Sequence, residues 1–172
     1  MKEQQVTKVL PFSDGFRLAT RCMDSSMKIW DIRNTKAAVH SIYNLENNHA
    51  GSKICLSPDE KYILTGTSYI RETESPGLLK IYDTVSFEEK VSLSIGDVGV
   101  TDIKWQKNIN QIFLGLDNGS ALALFDPSLS QKGVVQCVTK RAREYEPVEF
   151  KGEMIIKTPH ALPLFRDPAY NK

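Results

Sequence analysis

The chain has 172 residues, of which 41% are hydrophobic, and its formal net charge is +1 at pH 7. This is enough for one domain with a packed core, whereas the balanced charge argues against a protein that coats nucleic acid, and no apolar run approaches the roughly 20 residues of a membrane helix. Cys22, Cys55 and Cys137 have neither metal-ligand nor disulfide spacing, and no signal peptide is recognisable, so we expect a soluble, intracellular protein in a reducing compartment.

Short strands separated by polar turns are predicted from the beginning of the chain. The first four cover residues 6–12, 16–23, 26–33 and 37–43. The third of them ends in Trp30-Asp31, and Asp24 lies in the turn six residues before Trp30. Arg33 follows two residues after Asp31.

The same unit is predicted twice more along the chain. Its strands cover residues 53–56, 62–67, 78–83 and 90–95, and then 100–105, 112–116, 121–125 and 134–138. The third strands end in Tyr82-Asp83 and Phe125-Asp126, which repeats the aromatic-Asp ending. The interval before Asp83 is too long for the repeat, and the polar segment 70–77, which ends in Pro76-Gly77, predicts an enlarged loop there.

An aromatic residue followed by Asp at the end of a third strand resembles the WD40 repeat family. The resemblance covers about residues 6–138 and implies an all-β fold of WD40 β-propeller blades. The blades are expected within residues 1–139, at about 6–44, 50–96 and 99–139. Known propellers use roughly four to eight blades. Three blades therefore predict an incomplete ring that belongs to a longer protein, with ring closure by dimerisation as the alternative.

Residues 140–172 differ from the blades in composition and are predicted to form an extended C-terminal tail. Prolines at 159, 163 and 168 disfavour a regular helix or a central strand. We expect the apolar residues of the tail to dock on the propeller or on a partner. Lys140, Arg141 and Arg143 are a candidate nuclear import signal, and the alternative is a solvated basic segment.

The residues Asp24, Trp30, Asp31 and Arg33 are similar to the DWD box found within the WD40 family. That motif marks substrate receptors of cullin-4 ubiquitin ligases, and the resemblance implies that Arg33 contacts the ligase adaptor. The alternative is an exposed Arg33 that pairs with Asp31 at the end of the strand. Asp24 and Trp30 are expected to have a structural role first, in a hydrogen-bond network with Thr20. The histidine that completes this network in the family is missing before the first blade.

The tail and the last two blades are similar to the C-terminus of the gastrulation-defective subfamily of WD40 proteins. The residues concerned are 158–166 after the basic run, 78–83, and the turn 115–119. This resemblance implies a nuclear propeller linked to cullin-4 ligase function and to the DNA-damage response. We expect the earlier blades and the long N-terminal region of that subfamily to lie outside these 172 residues.

The sequence shows no arrangement of residues that is typical of an enzyme. Glu72, Glu74, Asp97 and Asp117 fall in loops on one side of the predicted blades, but their spacing matches no calcium loop or catalytic pair. The three histidines and three cysteines form no triad or zinc pattern. We therefore expect no cofactor, no metal, no small-molecule substrate, no direct nucleic-acid binding and no membrane association.

The function predicted from the sequence is a non-enzymatic protein-interaction scaffold, as a substrate receptor of a nuclear cullin-4 ubiquitin ligase. Its expected location is nuclear, and a cytoplasmic pool is an alternative. A second hypothesis is a WD40 scaffold in another nuclear complex that acts in chromatin or RNA processing. A third is an enzyme with a propeller fold, which would need a polar cluster at the central channel that the sequence does not show.

Overall fold

A computed structural model describes residues 5–48, 51, 53–130, 132–138 and 140. Strands dominate this part of the chain and form three antiparallel sheets, two of four strands and one of three. The predicted extended tail, with Arg141 and Arg143, lies outside the described residues, whereas Lys140 is described and exposed.

The strands follow one another in chain order within each sheet. The first sheet contains β1 Val6–Pro11, β2 Arg17–Cys22, β3 Met27–Asp31 and β4 His40–Ile42. The second sheet contains β5 Ile54–Leu56, β6 Tyr62–Gly66, β7 Gly77–Asp83 and β8 Glu89–Gly96. The third sheet contains β9 Val100–Gln106, β10 Gln111–Leu116 and β11 Ala121–Phe125. All eleven strands were predicted from the sequence to within three residues at either end.

The prediction of a twelfth strand was wrong, because Val134–Val138 forms a short helix, α1. The reason lies in the buried side chain of Gln111. Its Nε2 donates to the carbonyl of Lys132 over 2.7 Å, and its Oε1 accepts from the amide of Val134 over 3.2 Å. Gly133, between these two residues, has a φ of +72°, which turns the chain into the helix instead of alongside β11.

The sheets are arranged with their first strands side by side. β5 contacts β1 on one side and β9 on the other, which is the arrangement of neighbouring blades around a common axis. Because successive strands are antiparallel, the connections fall at two opposite ends of the sheets. We call the connections between first and second strands, and between third and fourth strands, the lower loops. The other connections are the upper loops.

Two hydrophobic clusters fill the spaces between neighbouring sheets. One joins the first and second sheets, and the other joins the second and third. Ile63 and Leu64 of β6 are adjacent and fully buried, yet they belong to different clusters, because successive side chains of a strand point to opposite faces. The second sheet is therefore covered on both faces.

The enlarged loop predicted between the second and third strands of the second sheet is confirmed. It contains a small hairpin closed by a β-bridge between Ile70 and Ser75. The residues at its tip, 71–74, are exposed. The hairpin projects from the upper loops.

Candidate partner-binding site at the lower loops

Trp30 and Thr20 make the hydrogen bond that the sequence predicts. The indole Nε1 of Trp30 donates to Oγ1 of Thr20 over 2.9 Å, between β3 and β2. Asp24 stabilises its own turn, since its Oδ1 accepts from the amide of Ser26 over 3.0 Å and from the Ser26 hydroxyl. Its other oxygen lies 3.7 Å from Nζ of Lys28.

The four residues of the DWD-like motif do not form one surface. Asp24 lies in an upper loop before β3, whereas Asp31 ends β3 and Arg33 follows it in a lower loop. Five strand residues span about 16 Å. Arg33 and Asp31 are therefore available to a partner at the lower end, and Asp24 is available only at the upper end.

The guanidinium of Arg33 is exposed but held in one place. Its side chain is 65% exposed, and its Nε and Nη2 donate to the two carboxylate oxygens of Asp31 over 2.9 Å and 2.6 Å. The guanidinium carbon lies 4.5 Å from the centroid of the Phe16 ring, in a cation–π contact. The hydrogen bonds from the Arg33 side chain and amide lower the pKa of Asp31 to about 2. The ion pair between Arg33 and Asp31, which the sequence predicts as the alternative to adaptor contact, is thus present. The Arg33 side chain is at the same time exposed enough for a partner to contact it.

A second Asp–Arg–Phe group, which was not predicted from the sequence, lies beside the first. Arg17 donates from Nε to Asp14 over 2.6 Å and lies 4.5 Å from the centroid of the Phe12 ring. Hydrogen bonds from the amide and side chain of Arg17 lower the pKa of Asp14 to about 2. Nη1 of Arg17 also donates to the carbonyl of Thr84 over 3.1 Å, which ties the first sheet to the second. An Asp placed two or three residues before an Arg at a strand end was the available signal in both cases.

Exposed apolar side chains surround these two groups. Phe16 is 49% exposed, Ile32 is 52% exposed and Val85 is 83% exposed. The amide of Ile32 donates to the carbonyl of Phe16 over 2.9 Å, and Val85 follows Thr84, which Arg17 contacts.

A polar cavity of about 640 Å³ lies between the lower loops of the first two sheets, and Asp14, Arg17 and Val85 are among the residues that line it. Glu60 accepts hydrogen bonds from the amide of Ser13 over 3.1 Å and from its hydroxyl over 2.7 Å. Thr84 donates from Oγ1 to the carbonyl of Glu60 over 2.8 Å. The seam between the two sheets is therefore fixed by polar contacts at this end.

The upper loops contain a larger open cleft of about 890 Å³. Three of the four carboxylates that the sequence places on one side line it together: Glu72, Asp97 and Asp117. Within the described ranges, no group of three or more His, Cys, Asp or Glu residues is arranged to hold a metal ion. Nor does the described part of the chain contain a helix with the length and hydrophobicity to cross a membrane.

Comparisons with known proteins identify the family. No protein-family model matches the chain. It is 37% identical over 163 residues to WD repeat-containing protein 70 of Xenopus laevis, which covers 94% of the chain and 26% of that relative. It is 34% identical over 165 residues to Gastrulation defective protein 1 homolog of Drosophila melanogaster, covering 96% of the chain and 25% of the relative. The chain belongs to the WD40 repeat family. It spans about a quarter of the length of these relatives.

A solved structure supports the same fold. One chain of a structure entitled "Crystal Structure of Mitotic Checkpoint Complex" superposes with a TM-score of 0.53 over 65% of this chain and 32% of that chain. The sequence identity is 19%, so this likeness shows the fold alone. The predicted all-β fold of propeller blades that form an incomplete ring is therefore confirmed. WD40 repeat proteins are typically non-enzymatic protein-interaction scaffolds.

Proposed function

We propose that this chain is part of a substrate receptor of a cullin-4 ubiquitin ligase and that the ligase adaptor binds at Arg33. The observation that carries the proposal is the presentation of Arg33 at the lower loops. A long arginine side chain normally loses rotamer entropy when it is bound. Here the Asp31 carboxylate and the Phe16 ring already hold the guanidinium, while its 65% exposure leaves it accessible.

The family supports this proposal in a coarser way. WD40 scaffolds bring proteins together on rigid surfaces and raise the effective concentration of one near another. A ligase receptor needs this property because it holds a substrate beside the catalytic assembly. The link to the DNA-damage response and the nuclear location, with exposed Lys140 in the candidate import segment, are parts of the same proposal. We also propose that this chain carries out no catalytic chemistry.

Co-precipitation of the cullin-4 adaptor with wild type and with Arg33→Ala tests the proposal. We expect Arg33→Ala to lose the adaptor while staying folded, with a melting temperature lowered only slightly, since an exposed ion pair contributes little to folding. Arg71→Ala, in the exposed upper hairpin, is the matched control and should retain the adaptor. If Arg33→Ala and wild type recover equal amounts of the adaptor, the adaptor does not bind through Arg33. Failure of wild type to recover the adaptor would favour a scaffold in a chromatin or RNA-processing complex.

A further inference from the structure

Serine or threonine precedes proline at three positions of the sequence, Ser57-Pro58, Ser75-Pro76 and Thr158-Pro159. Proline has a fixed φ and no backbone N–H, and it favours an extended conformation in the residue before it. A protein kinase can select such a residue with an apolar pocket for the proline ring, because no backbone donor is left unpaired there. The first two of these pairs lie in the described part of the chain, and the third lies outside it.

The structure makes Ser57 inaccessible. The residue is 3% exposed, and its Oγ donates to Asp59 over 2.6 Å and accepts from the amide of Tyr62 over 3.0 Å. Its backbone is bonded as well, since its amide donates to the carbonyl of Tyr62 and its carbonyl accepts from the amide of Glu60, both over 2.9 Å. A kinase would have to break the turn between β5 and β6 to reach this hydroxyl.

Ser75 has the opposite surroundings. It is half-buried at the base of the upper hairpin, and both the tip residues 71–74 before it and Pro76 after it are exposed. Its hydroxyl shares a hydrogen bond of 2.8 Å with the hydroxyl of Thr73 at the tip. The hairpin is closed by backbone hydrogen bonds of 3.0 and 3.1 Å between Ser75 and Ile70, which lie outside the strands of the second sheet. Opening of this one bridge would present Ser75 and Pro76 in extended form and leave the sheet intact.

A phosphate on Ser75 would change the charge of the upper cleft. Residues 69–72 line this cleft, so the hairpin forms one of its walls. Glu72, Asp97 and Asp117 also line it. A phosphoserine carries a charge of about −1.5 to −2 at pH 7. The modification would thus add to the negative charge that a partner meets at the upper loops.

We infer that Ser75 is a phosphorylation site of a proline-directed protein kinase. In the reaction the hydroxyl oxygen of Ser75 forms a bond to the γ-phosphorus of ATP. The bond between that phosphorus and the β,γ-bridging oxygen breaks, ADP leaves, and the hydroxyl proton passes to a carboxylate of the kinase. The site lies at the upper loops and Arg33 lies at the lower loops, so the inference does not depend on the proposed function.

The test treats the full chain with ATP and, in parallel, with a mitogen-activated and a cyclin-dependent protein kinase, which both act on serine before proline. Thr158→Ala removes the candidate outside the described residues, and circular dichroism checks the fold. Mass spectrometry of the digested chain gives the rate of phosphate incorporation at each serine. Ser75 should be phosphorylated at least about tenfold faster than Ser57, because only the hairpin opens without loss of the sheet. Ser75→Ala should remove nearly all of the incorporated phosphate.

Synthetic peptides of residues 52–62 and 70–80 are the matched controls, because each contains its Ser-Pro pair without the fold. The preference for Ser75 over Ser57 should be at least about tenfold greater in the folded chain than between the two peptides. Equal preferences in the chain and in the peptides would show that the fold does not select Ser75 and would overturn the inference. It would also be overturned if the 70–80 peptide were phosphorylated while Ser75 of the folded chain was not, or if neither kinase accepted that peptide.

Discussion

Trp30 and Thr20 are joined through their side chains, with the indole Nε1 of Trp30 2.9 Å from the hydroxyl oxygen of Thr20. The pair lies on the face of the first sheet opposite to Ala19 and Ile29, which are buried against the second sheet. The bond fixes the ring of Trp30 across two neighbouring strands. Asp24 stabilises its own turn at the end of the strand pair, so Thr20 alone is seen to accept from the indole in the described part of the chain.

Replacing Thr20 with valine should lower the free energy of unfolding by about 1 kcal/mol. The substitution keeps the shape of the side chain but leaves the half-buried indole N–H of Trp30 without its acceptor. Urea unfolding followed by tryptophan fluorescence measures the change. Thr20→Ser retains the hydroxyl and is the control, with a midpoint much closer to that of wild type. Equal midpoints for Thr20→Val and wild type would show that the bond does not contribute to stability.

The side chain of Arg21 is completely buried and bonds to backbone carbonyls. Nη1 donates to Ser26 over 3.0 Å, and Nη2 donates to Leu45 over 2.7 Å. Burial lowers the pKa of Arg21 to about 10, and Nε has no hydrogen-bond partner within the described ranges. The planar guanidinium of Arg21 holds its N–H donors in a fixed arrangement, so it can bond to two backbone carbonyls at once while buried.

Arg21→Lys should therefore destabilise the protein by about 1–2 kcal/mol, because a single ammonium group cannot replace both planar contacts and leaves a buried carbonyl without a donor. The free energy of unfolding in urea measures this. Arg71→Lys, at the exposed tip of the upper hairpin, is the control and should change stability by less than about 0.5 kcal/mol. An Arg21→Lys variant as stable as its control would contradict the role assigned to the fork.

The ion pair of Asp31 with Arg33 should make stability depend on pH in the acid range. Hydrogen bonds from Arg33 lower the pKa of Asp31 from 3.8 to about 2 in the folded state. A carboxylate with a lowered folded-state pKa stabilises the fold above its unfolded pKa, and this stabilisation is lost as the pH falls towards the folded value. We therefore expect Asp31→Asn to be less stable than wild type near neutral pH.

The difference in melting temperature between Asp31→Asn and wild type should become smaller as the pH falls from about 4 to about 2. Melting temperatures measured across this window test the expectation. Arg33→Ala removes the hydrogen bonds from the side chain but keeps the one from the amide of residue 33, so its difference in melting temperature from wild type should narrow in the same direction but by less. A constant difference between wild type and Asp31→Asn over the whole window would show that the pair has no influence on the ionisation of Asp31.

The strands were predictable because the signals for them are local. The polar turns between short apolar runs and the break at Pro76-Gly77 set the strand ends and the enlarged loop without knowledge of the rest of the chain. The bond between Trp30 and Thr20 was also predictable, since the two residues lie on adjacent strands joined by a tight turn. These features depend on residues close in sequence.

The features that were missed depend on contacts between distant residues. The helix α1 replaces a strand because Gln111, more than twenty positions earlier, bonds to the backbone at residues 132 and 134. The stacking of Arg33 on Phe16 depends on the register in which Arg17 is paired with Asp31. The part of the site around Arg33 was thus predicted by motif, whereas Phe16 and Val85 required the structure.

Gly66 provides a test of the packing between the second and third sheets. It ends β6 and is buried, and a Cβ placed there would lie 2.5 Å from Cβ of Val100 at the start of β9. This is far closer than packed carbon atoms allow. The absence of a side chain at position 66 therefore lets the two sheets approach each other.

Gly66→Ala should lower the free energy of unfolding by about 1–3 kcal/mol, because the added methyl group must push the sheets apart or displace Val100. Gly51→Ala is the matched control, since none of the residues that the structure describes lies within 4 Å of a Cβ at that position. Thermal or urea unfolding of the two variants compares the same chemical change in a crowded and in an open place. The crowding argument requires Gly66→Ala to be clearly less stable than Gly51→Ala, and a double variant Gly66→Ala with Val100→Ala should recover part of the difference. Equal stability of the two single variants would mean that the seam between the second and third sheets is loosely packed.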